Sequence, residues 1–276
     1  MNIFFKKRNI AVLQLCFCFF CTLAKKTSEL DPNTFIFDRQ WRIGLTAALY
    51  DNLELTHNGE SWLKSAPTIS YELSLSYYHE LGEKLGFNIG LGLSTASYNA
   101  NFSFEVPEEY IFWPKSYDDY RHIALKHHEY IHHIYTFPVS IQKLIEKKHN
   151  QYYSIELGSK LNRLINFPYT VSAEAAMMVD DNGNSVTFYN ENIESIGRQN
   201  FFSYFMKIGL VKINRKVNTL HYNMVLHWSP KKIGKGTYDF PNFGDDNHGT
   251  ITHNVNYIGF EVSYGFTRSY TLKDRL

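Results

Sequence analysis

The sequence predicts an all-β protein, an eight-stranded antiparallel up-and-down transmembrane β-barrel with long extracellular loops and short periplasmic turns. Three observations lead to this fold class. Segments of about ten residues alternate apolar and polar side chains, and the connections between them alternate between long and short. An apolar export signal precedes the first of these segments.

The N-terminal residues have the layout of a secretory signal peptide. Lys6, Lys7 and Arg8 form a basic region, residues 9–23 are mostly apolar, and Thr22-Leu23-Ala24 offers small residues at the positions that a signal peptidase recognises. The apolar run is shorter than the roughly 20 residues that a membrane-spanning helix needs. We therefore predict a cleaved signal over residues 1–24, a periplasmic N-terminal segment over 25–40, the barrel over 41–270 and a C-terminal tail over 271–276.

Composition excludes several classes of function. The formal net charge is +1, which argues against a nucleic-acid partner. All three cysteines, Cys16, Cys18 and Cys21, lie in the predicted signal, so the exported chain has no thiol for a disulfide or a thiolate metal site. Mean hydropathy is −0.33, so a membrane location requires strands that satisfy their backbone groups by closing on one another.

Eight segments show the two-residue period of a strand with one apolar and one polar face. In the clearest of them, Leu85, Ile89 and Leu91 alternate with glycine, asparagine and serine. The fourth contains Pro138, which cannot donate a ladder hydrogen bond and therefore predicts a bulge or a locally unpaired site. The apolar faces of the predicted strands span residues 43–49, 69–77, 85–93, 135–141, 153–161, 202–210, 220–228 and 258–266.

The connections sort by length, as expected for a barrel with its turns on one side of the membrane and its loops on the other. The short connections are polar hairpin turns at residues 80–84, 147–150 and 214–216. The long connections are predicted loops at residues 51–67, 99–133, 167–199 and 229–254. A soluble sandwich has no reason to sort its loops in this way.

Residues 180–184, Asp-Asp-Asn-Gly-Asn, lie in the middle of the third long loop. Asn182-Gly183 favours a type I′ turn, and the apolar flanks predict a hairpin that projects above the membrane. The acidic residues leave a calcium site as the alternative, although the closing glutamate of a calcium-binding loop is missing.

Alternation alone does not decide whether the apolar face points to lipid or to a core. A lipocalin-like soluble barrel would use that face to enclose a ligand. Two features favour lipid: the opposite face is rich in glycine and serine, and aromatic residues recur near both ends of the apolar face, where their rings suit the headgroup regions. These aromatic residues are Tyr71, Tyr77, Phe202, Tyr204, Tyr222, Trp228, Tyr264 and Phe266.

Six charged residues fall on the predicted inner face of the barrel. The interior of an eight-stranded barrel is just wide enough for side chains to fill, so we expect these charges to pair as a rigid plug. A gated ion or proton path is the alternative, and a wide diffusion pore is excluded. The predicted lumen network consists of Arg42, Lys160 and Lys207 with Glu72, Glu156 and Glu261.

A cluster of histidines precedes the fourth strand. His128, His132 and His133 are the predicted metal ligands, because converging imidazoles bind zinc, copper or nickel. An extended backbone would place His132 and His133 on opposite faces, so solvated histidines are the alternative. Ser97 and His227 add candidates for an enzyme acting on lipid or peptide at the rim, but no catalytic motif is formed. We therefore predict no enzyme and no cofactor.

Three segments carry a resemblance to a known family: residues 134–141 with an aromatic-x-x-Pro strand, residues 153–158, and residues 256–266 as the last strand. They resemble the single-domain outer-membrane β-barrel family widespread in Bacteroidetes, close in architecture to the OmpA transmembrane domain and to PorT-like barrels. The resemblance covers the chain from about residue 40. It implies the outer membrane of a Gram-negative bacterium as the location.

The predicted partners follow from this location. The apolar belt would contact outer-membrane lipid and lipopolysaccharide, and the long loops would contact an extracellular or envelope protein. The predicted function is envelope structure or surface interaction through the long loops. An accessory component of a secretion machinery is the alternative.

Overall fold

The computed structural model describes residues 39–267 except 51–52, 60–61, 83, 107, 109, 113–121, 149, 176–177, 214–217 and 244–246. The predicted signal peptide and C-terminal tail lie outside the described residues. Regular structure in the described part of the chain is β-strand, and none of it forms a helix long and apolar enough to cross a membrane.

Seventeen strands follow one another along the described chain. The first eight are β1 (Arg39–Tyr50), β2 (Leu53–Asn58), β3 (Leu63–Ala66), β4 (Thr68–Gly82), β5 (Leu85–Glu105), β6 (Ile111–Phe112), β7 (His122–Lys148) and β8 (Gln151–Leu164). The others are β9 (Thr170–Ala175), β10 (Met178–Val179), β11 (Ser185–Val186), β12 (Tyr189–Ser195), β13 (Asn200–Ile213), β14 (Thr219–Trp228), β15 (Gly234–Asp239), β16 (His248–His253) and β17 (Tyr257–Thr267).

Eight of these strands close into an antiparallel barrel. The order around the barrel is β1-β4-β5-β7-β8-β13-β14-β17, and β17 returns to pair with β1. Leu45 of β1, for example, pairs with Leu73 on one side and Val262 on the other. The predicted fold class is confirmed, and each of the eight predicted apolar faces falls inside one barrel strand.

Pro138 lies where the ladder between β5 and β7 is interrupted. Pairing runs from Leu85 to Ile89, resumes at Gly92 in the same register, and leaves out the two residues opposite Phe137 and Pro138. On its other side Pro138 still pairs with Lys160 of β8. The locally unpaired site predicted from the missing N–H is therefore present, without a bulge at this point.

The apolar residues of the barrel strands point outward. Leu73, Leu91 and Ile89 are 56%, 56% and 50% exposed. The opposite face is crowded, because a Cβ at Gly92 would overlap the hydroxyl of Thr136 on the neighbouring strand β7. The lipocalin-like alternative, with this face turned inward around a ligand, is therefore wrong for these strands.

The polarity of β5 inverts after Ser94. Up to that residue the outward side chains are apolar and the inward ones are small and polar, as in Leu91 and Ser94. Beyond it the inward side chains are Tyr98, Phe102 and Phe104, each about 1% exposed. The strand thus leaves the apolar belt and continues as part of an ordinary protein core, still paired with β7 through Glu105.

The described parts of the long loops are folded rather than irregular. We call the folded part beyond the belt the cap: strands β2, β3, β6, β9–β12, β15 and β16, with residues 95–105 of β5 and 122–134 of β7. A five-stranded sheet in the order β2-β16-β15-β12-β9 draws strands from three of the predicted loops. Strand β3 pairs with β5, and β6, β10 and β11 form a small third sheet.

The cap packs around an aromatic core. The ring of Phe102 lies 4.6 Å from Tyr189 and 5.9 Å from Phe188, and Phe104 lies 5.2 Å from Phe188. Phe240 joins the same cluster and is 2% exposed. Burial of this aromatic surface supplies the stability that a set of unpacked loops would lack.

The predicted hairpin of the third loop is present, with a different turn. Met178 pairs with Val186 and Val179 with Ser185, so β10 and β11 form the two arms. Gly183 is at φ 81 and Asn182 is not at positive φ, whereas a type I′ turn needs both residues there. The Asp180 carboxylate accepts hydrogen bonds from Asn182 and Asn184, so the acidic side chain closes the turn.

Candidate functional site

The lumen charges predicted from the sequence lie inside the barrel, and the first pair joins β8 to β4. Lys160 Nζ donates to both carboxylate oxygens of Glu72, at 2.7 and 2.6 Å. The Tyr257 hydroxyl donates to the same carboxylate at 3.1 Å. Both charged side chains are almost completely removed from solvent, since their exposed fractions are 4% and 7%. Donors from the protein itself therefore satisfy the buried Glu72 carboxylate.

A second group of charges lies beside the first. Lys207 Nζ lies 2.8 Å from Glu261 Oε2 and 3.8 Å from Glu156 Oε1. The carboxylates also accept hydrogen bonds from neutral donors, Ser140 Oγ to Glu156 at 2.6 Å and Asn223 Nδ2 to Glu261 at 2.9 Å. Each of these buried carboxylates thus has a cation and a neutral donor, which is the arrangement that a buried ion pair needs to be tolerated.

Contrary to the prediction, Arg42 does not pair with a carboxylate but donates hydrogen bonds to neutral side chains. Its Nε donates to Gln40 Oε1 at 2.7 Å and its Nη1 donates to Gln142 Oε1 at 2.6 Å. The guanidinium also lies 4.3 Å above the centre of the Tyr78 ring. The two lysines and three glutamates carry a net charge of −1. Arg42, which lies nearer the turns, brings the net charge of the lumen to zero.

An apolar layer closes the barrel at the end that carries the short turns. Tyr78, Leu144, Val211 and Ile213 form a cluster with exposed fractions of 0–1%. Gly86 makes the room for it, because a Cβ there would overlap the ring of Tyr78. Among the described residues, this layer places buried apolar side chains between the charged lumen and the short turns.

Aromatic rings close the opposite end, beneath the cap. Tyr257 stacks on His227 with ring centres 4.4 Å apart, and Tyr50 lies 5.1 Å from Tyr257. His227 is fixed in turn by Val255 O at 2.8 Å and Ser203 Oγ at 2.8 Å. These rings separate the charged layer from the aromatic core of the cap.

The cavity among the lumen charges is small. The cavity among the lumen charges, lined by Arg42, Glu72 and Lys207 among others, has a volume of about 30 Å³. Such a volume accommodates about one or two water molecules. The lumen is therefore a filled, charge-neutral interior.

The structure separates the histidines that the sequence grouped as metal ligands. His132 points into the cap and is 7% exposed, whereas the neighbouring His133 lies on the opposite, exposed face of β7. The side chain of His128 lies outside the described residues. His132 and His133 therefore do not converge, because successive residues of a strand face opposite ways. In the described chain no group of three or more His, Cys, Asp or Glu residues could hold a metal ion.

The rim residues considered for an enzyme are held in structural contacts. Ser97 Oγ accepts a hydrogen bond from Ser70 Oγ at 2.9 Å. His227 contacts Ser203, but Ser203 is 0% exposed and also accepts from Asn162 Nδ2 at 2.7 Å. The serine of this contact is fully buried, and the His227 ring is held by its stacking on Tyr257.

Sequence reasoning missed two buried titratable residues of the cap. Burial, together with the neighbouring His132, lowers the pKa of His253 from 6.5 to about 3. Burial raises the pKa of Glu191 from 4.5 to about 7, and its carboxylate accepts a hydrogen bond from Tyr189 at 2.6 Å. Neither residue stands out in the sequence, because each lies in a short cap strand whose burial depends on remote partners.

These pKa shifts predict how cap stability depends on pH. Protonation of His253 is unfavourable in the folded cap. The cap is therefore most stable above pH 6.5, and it loses stability as the pH falls towards 3. At a pH of about 5 the loss is about 2 kcal/mol. Glu191 acts in the opposite direction, because a raised carboxyl pKa destabilises the cap as the pH rises above 4.5.

Variants separate the two pH effects. When the pH is lowered from about 7.5 to about 5, the free energy of cap opening should fall by about 2 kcal/mol more in wild type than in the His253→Gln variant. Hydrogen exchange of cap amides measures this free energy. Glu191→Gln is the matched control, since it should change the pH dependence with the opposite sign. An advantage of wild type that is equal at both pH values would contradict the burial of a neutral His253.

Fold and site together define a small, sealed β-barrel of the transmembrane type that carries a folded cap. Several solved outer-membrane proteins are similar to it. OprG from Pseudomonas aeruginosa is 11% identical with a TM-score of 0.41, over 84% of this chain and 96% of that one. A major outer membrane protein from Thermus thermophilus is 10% identical with a TM-score of 0.37, over 83% and 99%.

Ail, the attachment invasion locus protein of Yersinia pestis, is 11% identical with a TM-score of 0.26, over 83% of this chain and 99% of that one. No protein-family model matches the chain, and neither does any curated protein sequence. The class of protein stated above rests on the closed strand order and the exposed apolar belt of this chain itself.

Proposed function

We propose that this chain is an outer-membrane protein of a Gram-negative envelope, exported by a cleaved signal peptide, in which a plugged barrel anchors a surface-exposed cap. Its role is in envelope structure or surface interaction. One observation carries the proposal: the lumen charges neutralise one another between two closed layers, and the cavity among them has a volume of only about 30 Å³. An interior of this kind holds the barrel rigid and gives solutes no path.

Aromatic pairs at both ends of the belt support the membrane location. Trp41 and Tyr77 lie 5.1 Å apart near the turns, and Tyr204 and Trp228 lie 5.8 Å apart near the cap. Rings with polar edges favour the headgroup regions on the two sides of a bilayer. The residues between them would contact outer-membrane lipid and lipopolysaccharide.

The cap is the part of the chain that reaches beyond the bilayer. Its sheet carries exposed polar side chains, and the tip of the β10–β11 hairpin, residues 181–185, is exposed. A packed aromatic core fixes the cap, so a partner would meet a surface that is already ordered, and little conformational entropy would be lost on binding. The partner proposed for this surface is an extracellular or envelope protein.

A conductance measurement tests the plugged lumen. Purified wild-type protein inserted into planar lipid bilayers is expected to give no steady current above the protein-free bilayer. The change in gel mobility on heating confirms that the inserted protein is folded. A steady current that changes when Lys207 is replaced by methionine would overturn the plugged lumen in favour of an ion path through the charged layer.

Site-specific photo-cross-linking in intact cells distinguishes the surface-interaction role from the alternative, an accessory component of a secretion machinery. A cross-linker at Asn184, in the exposed hairpin, reports on contacts of the cap. One at Lys147, exposed near the end of β7, reports on the turn end. Adducts at position 184 favour surface interaction. Adducts confined to position 147 and containing secretion components favour the accessory role.

A further inference from the structure

Two buried histidines of the cap face each other although they are far apart in the chain. The ring centres of His132, from β7, and His253, from β16, lie 5.8 Å apart with an angle of 60° between the rings. Their exposed fractions are 7% and 0%. Nε2 of His132 and both ring nitrogens of His253 have no hydrogen-bond partner among the described residues. Three unsatisfied imidazole nitrogens in one place are unusual for a protein interior.

Aromatic rings surround the pair. Tyr98 stacks on His253 with ring centres 4.5 Å apart, and Tyr169 lies 4.5 Å from His132. The hydroxyls of these tyrosines are engaged elsewhere, since Tyr98 donates to Asn254 O at 2.5 Å and Tyr169 donates to Ile233 O at 3.0 Å. The two imidazoles are therefore in contact with the aromatic rings of the tyrosines, whose hydroxyl groups bind backbone carbonyls of the cap.

The separation of the rings fits two imidazoles on one metal ion. With metal–nitrogen bonds of about 2.0–2.1 Å, two imidazole ring centres lie roughly 5 to 6.5 Å apart, depending on the angle at the metal. The observed 5.8 Å lies within that range. Imidazole nitrogen is a good ligand for zinc, copper, iron and nickel.

The surroundings select among these metals. Zinc sites in proteins take four ligands, and the described chain brings together no group of three or more His, Cys, Asp or Glu residues. Copper(I) accepts as few as two nitrogen ligands, which is the number that His132 and His253 offer. A single positive charge is also less costly to bury than a double one, and aromatic faces attract a cation.

We propose that His132 and His253 form a two-coordinate copper(I) site inside the cap. The site does not depend on the proposed surface role, because it uses only the interior of the cap. Bound copper would tie β7 to β16, and so join the part of the cap that continues the barrel wall to the five-stranded sheet.

A competition titration of the full-length protein in detergent tests the site. Copper is kept reduced with ascorbate, and bicinchoninate serves as the coloured competitor. Wild type is expected to withdraw one copper(I) per chain from the competitor. His132→Gln and His253→Gln are each expected to lose at least tenfold in affinity. His133→Gln is the matched control and should retain wild-type binding, because that side chain points out of the cap.

X-ray absorption of copper-loaded wild type needs no variant and covers the case in which a substitution unfolds the cap. The expected spectrum is that of two-coordinate copper(I) with imidazole ligands. Three outcomes would overturn the proposal: copper uptake by wild type no greater than by the His132→Gln, His253→Gln double variant, a spectrum with three or four ligands, or no uptake at all. The last result would mean that water satisfies the imidazole nitrogens.

Discussion

A Lys160→Met variant is expected to lose about 3 to 5 kcal/mol of unfolding free energy, because Glu72 would stay buried without its cation. The side chains of Lys160 and Glu72 are 4% and 7% exposed, and their charged atoms are 2.6 Å apart. Methionine retains most of the aliphatic length of lysine, so the change removes charge rather than packing. Urea unfolding in lipid vesicles, followed by tryptophan fluorescence, measures the loss.

Two further variants show whether the loss comes from the buried pair. Adding Glu72→Gln to Lys160→Met removes both charges and should recover most of the stability. Lys84→Met is the matched control, because it breaks an exposed ion pair to Glu146 of similar length, 2.8 Å. That change should cost less than about 1 kcal/mol. Equal losses in the two lysine variants would contradict a buried, charge-paired lumen.

Replacing Phe102 with alanine is expected to destabilise the cap by about 3 to 5 kcal/mol, through lost burial and the cavity left behind. Phe102 is 1% exposed and contacts Tyr189 and Phe188 in the centre of the aromatic core. The loss should be local. Hydrogen exchange, read by mass spectrometry, is expected to increase in β9, β12 and β15 and to stay slow in the barrel strands.

Phe202→Ala provides the matched control for the cap variant. Phe202 belongs to β13 and is 59% exposed on the apolar belt, so its removal creates no cavity in the cap. Exchange in the cap strands should remain at the wild-type rate. If Phe102→Ala instead released β8 and β13 together with the cap, the cap and barrel would be a single cooperative unit, and the local effect predicted here would be wrong.

The barrel could be predicted because its signals are local. In a strand such as residues 85–93, every second residue is apolar and each intervening one is small or polar. The backbone geometry of a strand then assigns the two faces without any knowledge of its neighbours. The same reasoning located Glu72 and Lys160 on the inner face, and the structure brings their charged atoms together.

Other parts of the site required information that no local pattern contains. The sequence predicts a carboxylate partner for Arg42, but Gln40 and Gln142 hold it, and the choice depends on which strands lie opposite each other. The sequence also groups His132 with its neighbour His133. The residue that His132 actually faces, His253, is 121 positions away (253 minus 132) and comes from another sheet.

By itself the sequence determined the eight barrel strands, their apolar outer face and the charged residues of the lumen, because each follows from a two-residue period within one segment. Only the tertiary structure decided that the long loops form a cap. Its strands are short and pair with remote partners, as do Thr56 and Thr250, which are 194 positions apart. Along β5 the polarity of the two faces also reverses after Ser94, because the inward side chains there pack into the aromatic core of the cap.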